Sequence, residues 1–161
     1  MARVYVSIGT NVDRRQNMLS CLAALRDRFG DLVMSPVYEN RAVGFEGDNF
    51  YNMVVAFETR EDVHQLTPLF RQIESNHGRV RGGEKFSSRT LDVDLLLYDN
   101  LVLKTAGLDV PRHEITKYAF VLRPLSDMAP ELLHPELNES MARLWQAFEP
   151  KEDMWPVSLD G

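Results

Sequence analysis

The chain has 161 residues, 44% hydrophobic and 26% charged, with a net charge of −6; this suits a globular protein with room for a sizeable core and argues against a general nucleic-acid binder, which works by neutralising phosphates. No apolar run approaches the roughly 20 residues of a membrane helix, and the N-terminal MARVYVSIGTN reads as a strand rather than a signal peptide. The single cysteine, Cys21, excludes an intramolecular disulfide and a cysteine metal cluster, so a cytoplasmic protein is expected, with no membrane, no nucleic acid and no obligate protein partner.

Residues 3–8 (RVYVSI) read as a first strand and Gly9-Thr10-Asn11 as a turn. From about residue 13 to residue 29, Met18, Leu22, Leu25 and Phe29 fall at helical spacing, with Gly30 closing the helix and Cys21 buried on it. Residues 32–40 form a second strand in which Pro36 marks an edge or a bulge. A glycine-containing loop, 41–49, leads to a strongly apolar strand, 50–59. Val63, Leu66, Phe70 and Ile73 mark a helix over about 60–77, ended by Gly78, with a kink or a late start expected from Pro68. A loop at 79–89 precedes a strand running to residue 99, and LVLK (101–104) is a short strand after an Asp99-Asn100 turn. Residues 110–115 read as loop, 119–125 as an apolar stretch, 128–138 as turns and 140–148 as a last helix, with a loose polar tail from Glu149. The order β-α-β-β-α-β is the ferredoxin-like split βαβ arrangement. The expectation is therefore an α+β, ferredoxin-like βαββαβ sandwich with a small C-terminal addition, residues 1–161 forming one domain.

The anomaly lies in two neighbouring segments. RVRGGEKFSSR (79–89) carries a net charge of +3 in an acidic chain, and it runs straight into RTLDVDLLLYD. Strand side chains alternate, so Asp92 and Asp94 point the same way, roughly 7 Å apart along one face, and two such carboxylates repel unless something compensates them. One reading is a solvated strand face paired with local arginines. The other is a hard-cation site, since magnesium is held by one or two carboxylates together with substrate phosphates. The arginines fit the second: Arg79, Arg81 and Arg89 offer forked donors to phosphate oxygens, and Gly82-Gly83 supplies a hinge for a closing loop. Neither a Walker-type nor a Rossmann glycine loop is present. Asn52, inside an apolar strand, needs hydrogen-bond partners; Phe50 and Phe120 read as core or as stacking faces, and Asn11 as a turn residue or a pocket residue.

These residues resemble the 6-hydroxymethyl-7,8-dihydropterin pyrophosphokinase family. The likeness begins at Val6-Ser7-Ile8-Gly9-Thr10-Asn11, continues through Phe50-Tyr51-Asn52 and Glu74-x-x-x-Gly78-Arg79, and is sharpest at Arg89-Thr90-Leu91-Asp92-Val93-Asp94-Leu95. It ends with Phe120-Val121-Leu122-x-Pro124-Leu125 and Met128-Ala129-Pro130. The resemblance implies a ferredoxin-like fold and a reaction in which ATP, the co-substrate, gives its β,γ-pyrophosphate to the hydroxymethyl oxygen of the pterin, leaving AMP. It implies two magnesium ions on Asp92 and Asp94, and catalytic roles for Arg79, Arg81 and Arg89. Arg81 and Arg89 also meet ATP, with Glu74, Phe86 and Leu95 on the nucleotide side. For the pterin it implies Asn11, Val43, Phe50, Asn52 and Phe120. The chain departs from the family at Asn40-Arg41-Ala42-Val43-Gly44, where a Thr-Pro-Pro stretch is usual, at Phe86 and Ser87, at Arg112-His113, where the histidine is one place late, and at Tyr118 in place of an arginine. Arg112, His113 and Lys117 together would replace the missing phosphate contacts. The alternative is a divergent paralogue that binds pterin or nucleotide without turnover.

Overall fold

The protein is described from a computed structural model, over residues 1–42, 47–78, 91–149 and 151–160. Its centre is a six-stranded sheet built from β1 (Ala2–Thr10), β2 (Val33–Met34), β3 (Val37–Asn40), β4 (Phe50–Thr59), β5 (Asp92–Tyr98) and, at the far edge, β8 (Met154–Val157). The strand order is β5-β1-β4-β3-β8, with β2 also paired to β4. The sheet and its helices form an α+β, ferredoxin-like fold. Helices α1 (Arg14–Phe29) and α2 (Val63–Asn76) cover one face; α3 (Ala119–Met128) and α4 (Met141–Ala147) cover the other. A hairpin of β6 (Leu103–Thr105) and β7 (Leu108–Val110) forms a second, two-stranded sheet, with Leu108 and Val110 buried against the main core. No helix among the described residues is long and apolar enough to cross a membrane.

Alternation explains the two cores. Val4, Val6, Ile8, Met53, Val55, Phe57, Val93 and Leu95 point toward α1 and α2. Tyr5, Val54, Ala56 and Leu96 point toward α3. In α1 the buried residues are Met18, Cys21, Leu22 and Leu25, the stripe a helix presents to a core. Burial, reinforced by the charge of Glu74, pushes the Cys21 thiol up to about 12. The helix ends on Gly30, whose φ of 82° favours a residue without a Cβ.

Several expectations from sequence need correcting. The strand over 32–40 is two strands, broken at Ser35-Pro36. Pro36 has no N–H to give, and the Ser35 hydroxyl takes over part of the ladder by accepting the Val54 N–H at 2.9 Å. The strand at 101–104 is shifted to β6, and its partner β7 lies next to and partly within the stretch read as loop. The helix expected from about residue 60 starts at Val63, after a capping box in which Asp62 accepts the His64 N–H and Gln65 accepts the Asp62 N–H. The apolar stretch 119–125 is helical, with Pro124 inside α3. The tail from Glu149 is not loose throughout: β8 pairs antiparallel with β3, Asn40 opposite Met154 and Val37 opposite Val157. In β5 a bulge opposite Tyr5-Val6 turns Leu97 to the same side as Leu96.

Candidate active site

The register brings the sequence-predicted residues to one end of one face. Asp92 stands opposite Gly9, Gly9 opposite Asn52, and Asn52 opposite Tyr38, so a single row crosses β5, β1, β4 and β3. Asp94 pairs with Ser7, and Phe50 with Asn40, on the same side. Gly9 matters because of what lies over it: a Cβ built there would come within 2.6 Å of Asn52 Oδ1. The missing side chain thus lets the Asn52 amide lean over β1 toward the carboxylates, whose Cα atoms are about 10 Å from its own across two strand spacings.

On the carboxylate side, Arg71 of α2 reaches round the edge strand β5. Its Nη2 donates to Asp94 Oδ1 at 3.2 Å, and its Nη1 lies 2.5 Å from Glu74 Oε2. Arg112 places Nη2 3.7 Å from the same Asp94 oxygen and pairs through Nε with Glu114. Glu74 is fully buried, and its Oε2 also accepts the Val93 N–H at 2.8 Å, between the two aspartates. Burial works against the Arg71 charge, but the hydrogen bond and charge of Glu74, with those of Asp94, outweigh it and hold the guanidinium above its ordinary value. Arg71 is the residue that sequence reasoning missed; the available signal was its i, i+3 spacing to Glu74 on a helix.

On the amide side, Asn52 and Asn40 are each 4% exposed. Asn52 Nδ2 donates to Asn40 Oδ1, and Asn40 Nδ2 donates to the Arg41 carbonyl at 3.1 Å. Phe120, at the start of α3, is half-buried and stacks on Tyr118 with centroids 4.9 Å apart. It also packs on Tyr38 and Ala119. Tyr38 donates its hydroxyl to Asp127, and the Arg123 guanidinium lies 4.7 Å from its ring centroid. Burial and then the Asp127 carboxylate raise the Tyr38 phenol above its usual range.

Other candidates lie differently. Leu95 is buried on the opposite face, in the core under α1 and α2. Asn11 is 2% exposed, gives Nδ2 to the Asp48 carbonyl at 3.2 Å, and lines an open polar cavity of about 530 Å³ with Arg14, Glu39 and Asn49. His113 turns away to Asp109, with Nδ1 at 2.6 Å and its own N–H at 2.9 Å from Oδ2. Burial works against the Asp109 charge, yet the donors of His113 and Lys104 leave this carboxyl well below its ordinary value. The Lys117 ammonium lies 5.2 Å from the Tyr118 ring centroid. Val43, Arg79, Arg81, Phe86 and Arg89 lie outside the described residues. Among the described residues, no group of three or more histidine, cysteine or acidic side chains could hold a metal ion alone.

Comparison with known proteins gives the site its context. Residues 5–130 match the sequence model of 7,8-dihydro-6-hydroxymethylpterin-pyrophosphokinase. The chain is 32% identical over 158 residues to the 2-amino-4-hydroxy-6-hydroxymethyldihydropteridine pyrophosphokinase of Aquifex aeolicus, covering 97% of this chain and 96% of that protein. It is 33% identical over 138 residues to the protein of the same name from Pseudomonas aeruginosa, covering 83% and 85%. To the folic acid synthesis protein FOL1 of Dictyostelium discoideum it is 34% identical over 145 residues, 88% of this chain but only 22% of that longer protein. Among solved structures, wild-type HPPK-DHPS of Plasmodium falciparum with SDX-DHP shares the fold, with a TM-score of 0.70 at 15% identity over 91% of this chain and 43% of that one.

Fold and match together define a transferase of diphosphate groups. The chain belongs to the 7,8-dihydro-6-hydroxymethylpterin-pyrophosphokinase family. Its activity is ATP-dependent pyrophosphoryl transfer to the dihydropterin, a step of folate biosynthesis.

Proposed function

We propose that the row Asp92–Gly9–Asn52 is where the two substrates meet. Asp92 and Asp94 receive the ATP triphosphate with two magnesium ions; Asn52 reads the amide-like edge of the pterin, which lies between Phe50 and Phe120. The supporting observation is the register row, which sets a carboxylate pair and a buried, oriented amide on one face with only Gly9 between them, the Asn52 oxygen leaning over the glycine. The donor set suits magnesium: hard carboxylate oxygens, too few for a closed cage, leaving positions for water and phosphate. Bound there, the metal neutralises charge on the triphosphate and on its transition state.

The chain's own groups then have separate tasks. Arg112 lies at Asp94 and supplies a forked donor to the triphosphate. Arg79, Arg81 and Arg89 of the basic segment supply further donors to the phosphates, with Phe86 on the nucleotide side and Val43 and Asn11 on the pterin side. The pterin hydroxymethyl oxygen forms a bond to Pβ and loses its proton. The bridge between Pα and Pβ breaks on the β side, and AMP leaves with the bridging oxygen. Positioning of the two substrates in line carries most of the rate.

The test is AMP release from ATP with 6-hydroxymethyl-7,8-dihydropterin present or omitted, and with magnesium present or chelated. AMP is expected only when both are present. AMP formation that is indifferent to chelation would overturn the magnesium assignment, and AMP formed equally well without pterin would overturn the acceptor.

A further inference from the structure

The Asn40–Asn52 pair has a direction, and its origin lies outside the pair. A backbone carbonyl can only accept, so the Arg41 oxygen, at 3.1 Å, obliges Asn40 to present Nδ2 to it. That leaves Asn40 Oδ1 for Asn52, and Asn52 can meet it only with Nδ2. Asn52 Oδ1 is thereby directed the other way, over β1, 2.6 Å from where a Cβ on Gly9 would stand. Both amides are only 4% exposed, so water does little to blur this order. Among the described residues, Asn52 Oδ1 accepts no hydrogen bond. A buried acceptor without a donor is costly, and this one lies on the row that runs to Asp92.

Resting on the reading of Asn52 as the group that meets the pterin's amide-like edge, we infer that Asn40 is a positioning residue for substrate specificity. It fixes which end of the Asn52 amide accepts, and so which heterocycle edge is admitted. A lactam edge carries a ring N–H beside a carbonyl, and it matches an amide offering Oδ1 and its second Nδ2 hydrogen. A 2,4-diaminopteridine has nearly the same shape, but at that edge its ring nitrogen accepts and its exocyclic amine donates. The Asn52 amide would meet it only by turning over, which sets Asn52 Oδ1 against Asn40 Oδ1. Two acceptors facing each other in a buried site repel, and each is left without a donor. Asn40 has no escape by turning as well, because its own oxygen would then face the Arg41 carbonyl. The reversed edge is thus rejected by a residue that does not touch the ligand.

The experiment uses the full chain with magnesium and a non-hydrolysable ATP analogue at neutral pH. Dissociation constants of 6-hydroxymethylpterin and of 6-hydroxymethyl-2,4-diaminopteridine are measured by fluorescence. The wild type is expected to favour the pterin by about a hundredfold. Asn40→Ala frees the Asn52 amide to turn, and the preference is expected to fall by about tenfold, mostly through tighter binding of the diamino compound. Asn40→Ser is expected to do the same, because a hydroxyl both donates and accepts and so sets no direction. It keeps a hydrogen-bonding group in the buried site, so the test survives if Asn40→Ala fails to fold. A simple packing defect would weaken both compounds in proportion and leave the ratio at its wild-type value. That ratio in Asn40→Ser, with pterin binding lost in Asn52→Ala, would keep Asn52 at the pterin edge and overturn the role of Asn40. A wild type that binds both compounds equally would overturn it too. Pterin binding unchanged in Asn52→Ala would remove Asn52 from the pterin site, and this inference with it.

Discussion

The two halves of the site are built on different physics. On the β1–β5 side, charged groups meet while keeping contact with water: the side chains of Asp94, Arg112 and Arg71 are 23%, 26% and 30% exposed. On the β3–β4 side, Asn40 and Asn52 are neutral, each only 4% exposed, and bonded to one another. Wet ion pairs are individually weak and exchange partners easily. A buried amide is costly to leave unpaired, so its orientation is set in advance. The difference is what a two-substrate reaction asks for. Under the proposed assignment, a polyanion with its metals displaces exchangeable partners on one side, and a flat heterocycle finds its donors and acceptors already aimed on the other.

The largest expected effect breaks one half and spares the other. Asp94→Asn should lower kcat/KM by about a thousandfold or more, through loss of transition-state charge stabilisation, with pterin binding followed by fluorescence unchanged. Comparable losses in both would mean the halves are not separable. Next is the glycine between them. Gly9→Ala sets a Cβ 2.6 Å from Asn52 Oδ1, and the overpacking should cost about 1–3 kcal/mol of stability in denaturant titrations. Steady-state kinetics should place the loss in the KM for pterin, about tenfold if the amide moves by one hydrogen bond's worth, and leave the KM for ATP unaltered.

The smallest effect belongs to neither half and serves as a control. His134 is buried, and its Nδ1 accepts the N–H groups of Glu136 and Leu137, both at 3.2 Å. Burial lowers its pKa below the ordinary value. The unfolded chain therefore binds the proton first as pH falls, and stability drops below about pH 6.5. Melting temperatures measured from pH 7.5 to pH 5 should show this slope in the wild type. It should be weaker in His134→Asn, whose side-chain oxygen takes over the two N–H groups without titrating.

Period was what made much of this readable in the sequence. Two aspartates at i and i+2 in an alternating run must share a face, and β5 displays them so. The helical stripe of α1 was legible for the same kind of local reason, whereas Pro36 read as an edge or a bulge in one strand and instead splits it into two. What escaped was long-range. Nothing local tells that Glu74 is sealed beneath β5 or that Arg71 reaches round a sheet edge to Asp94; both follow from which strand lies outermost. The Asn40–Asn52 bond depends on β3 and β4 pairing in one register. The resemblance groups His113 with Arg112 and Lys117 at the phosphates, yet His113 bonds Asp109 while Arg112 faces Asp94 and Glu114. The final strand was hidden by Pro156, which fits an edge strand but reads as a breaker in isolation.

That last strand has a practical consequence for anyone shortening the protein. The family match stops at residue 130, and β8 begins at Met154. A truncation drawn at the match would retain every candidate ligand and still strip the cover from β3, whose Val37–Asn40 backbone β8 pairs. The uncovered row of amides and carbonyls would be a template for another molecule's strand. Such a fragment should clump during expression, and its failure would be mistaken for a catalytic defect when the chemistry had never been touched.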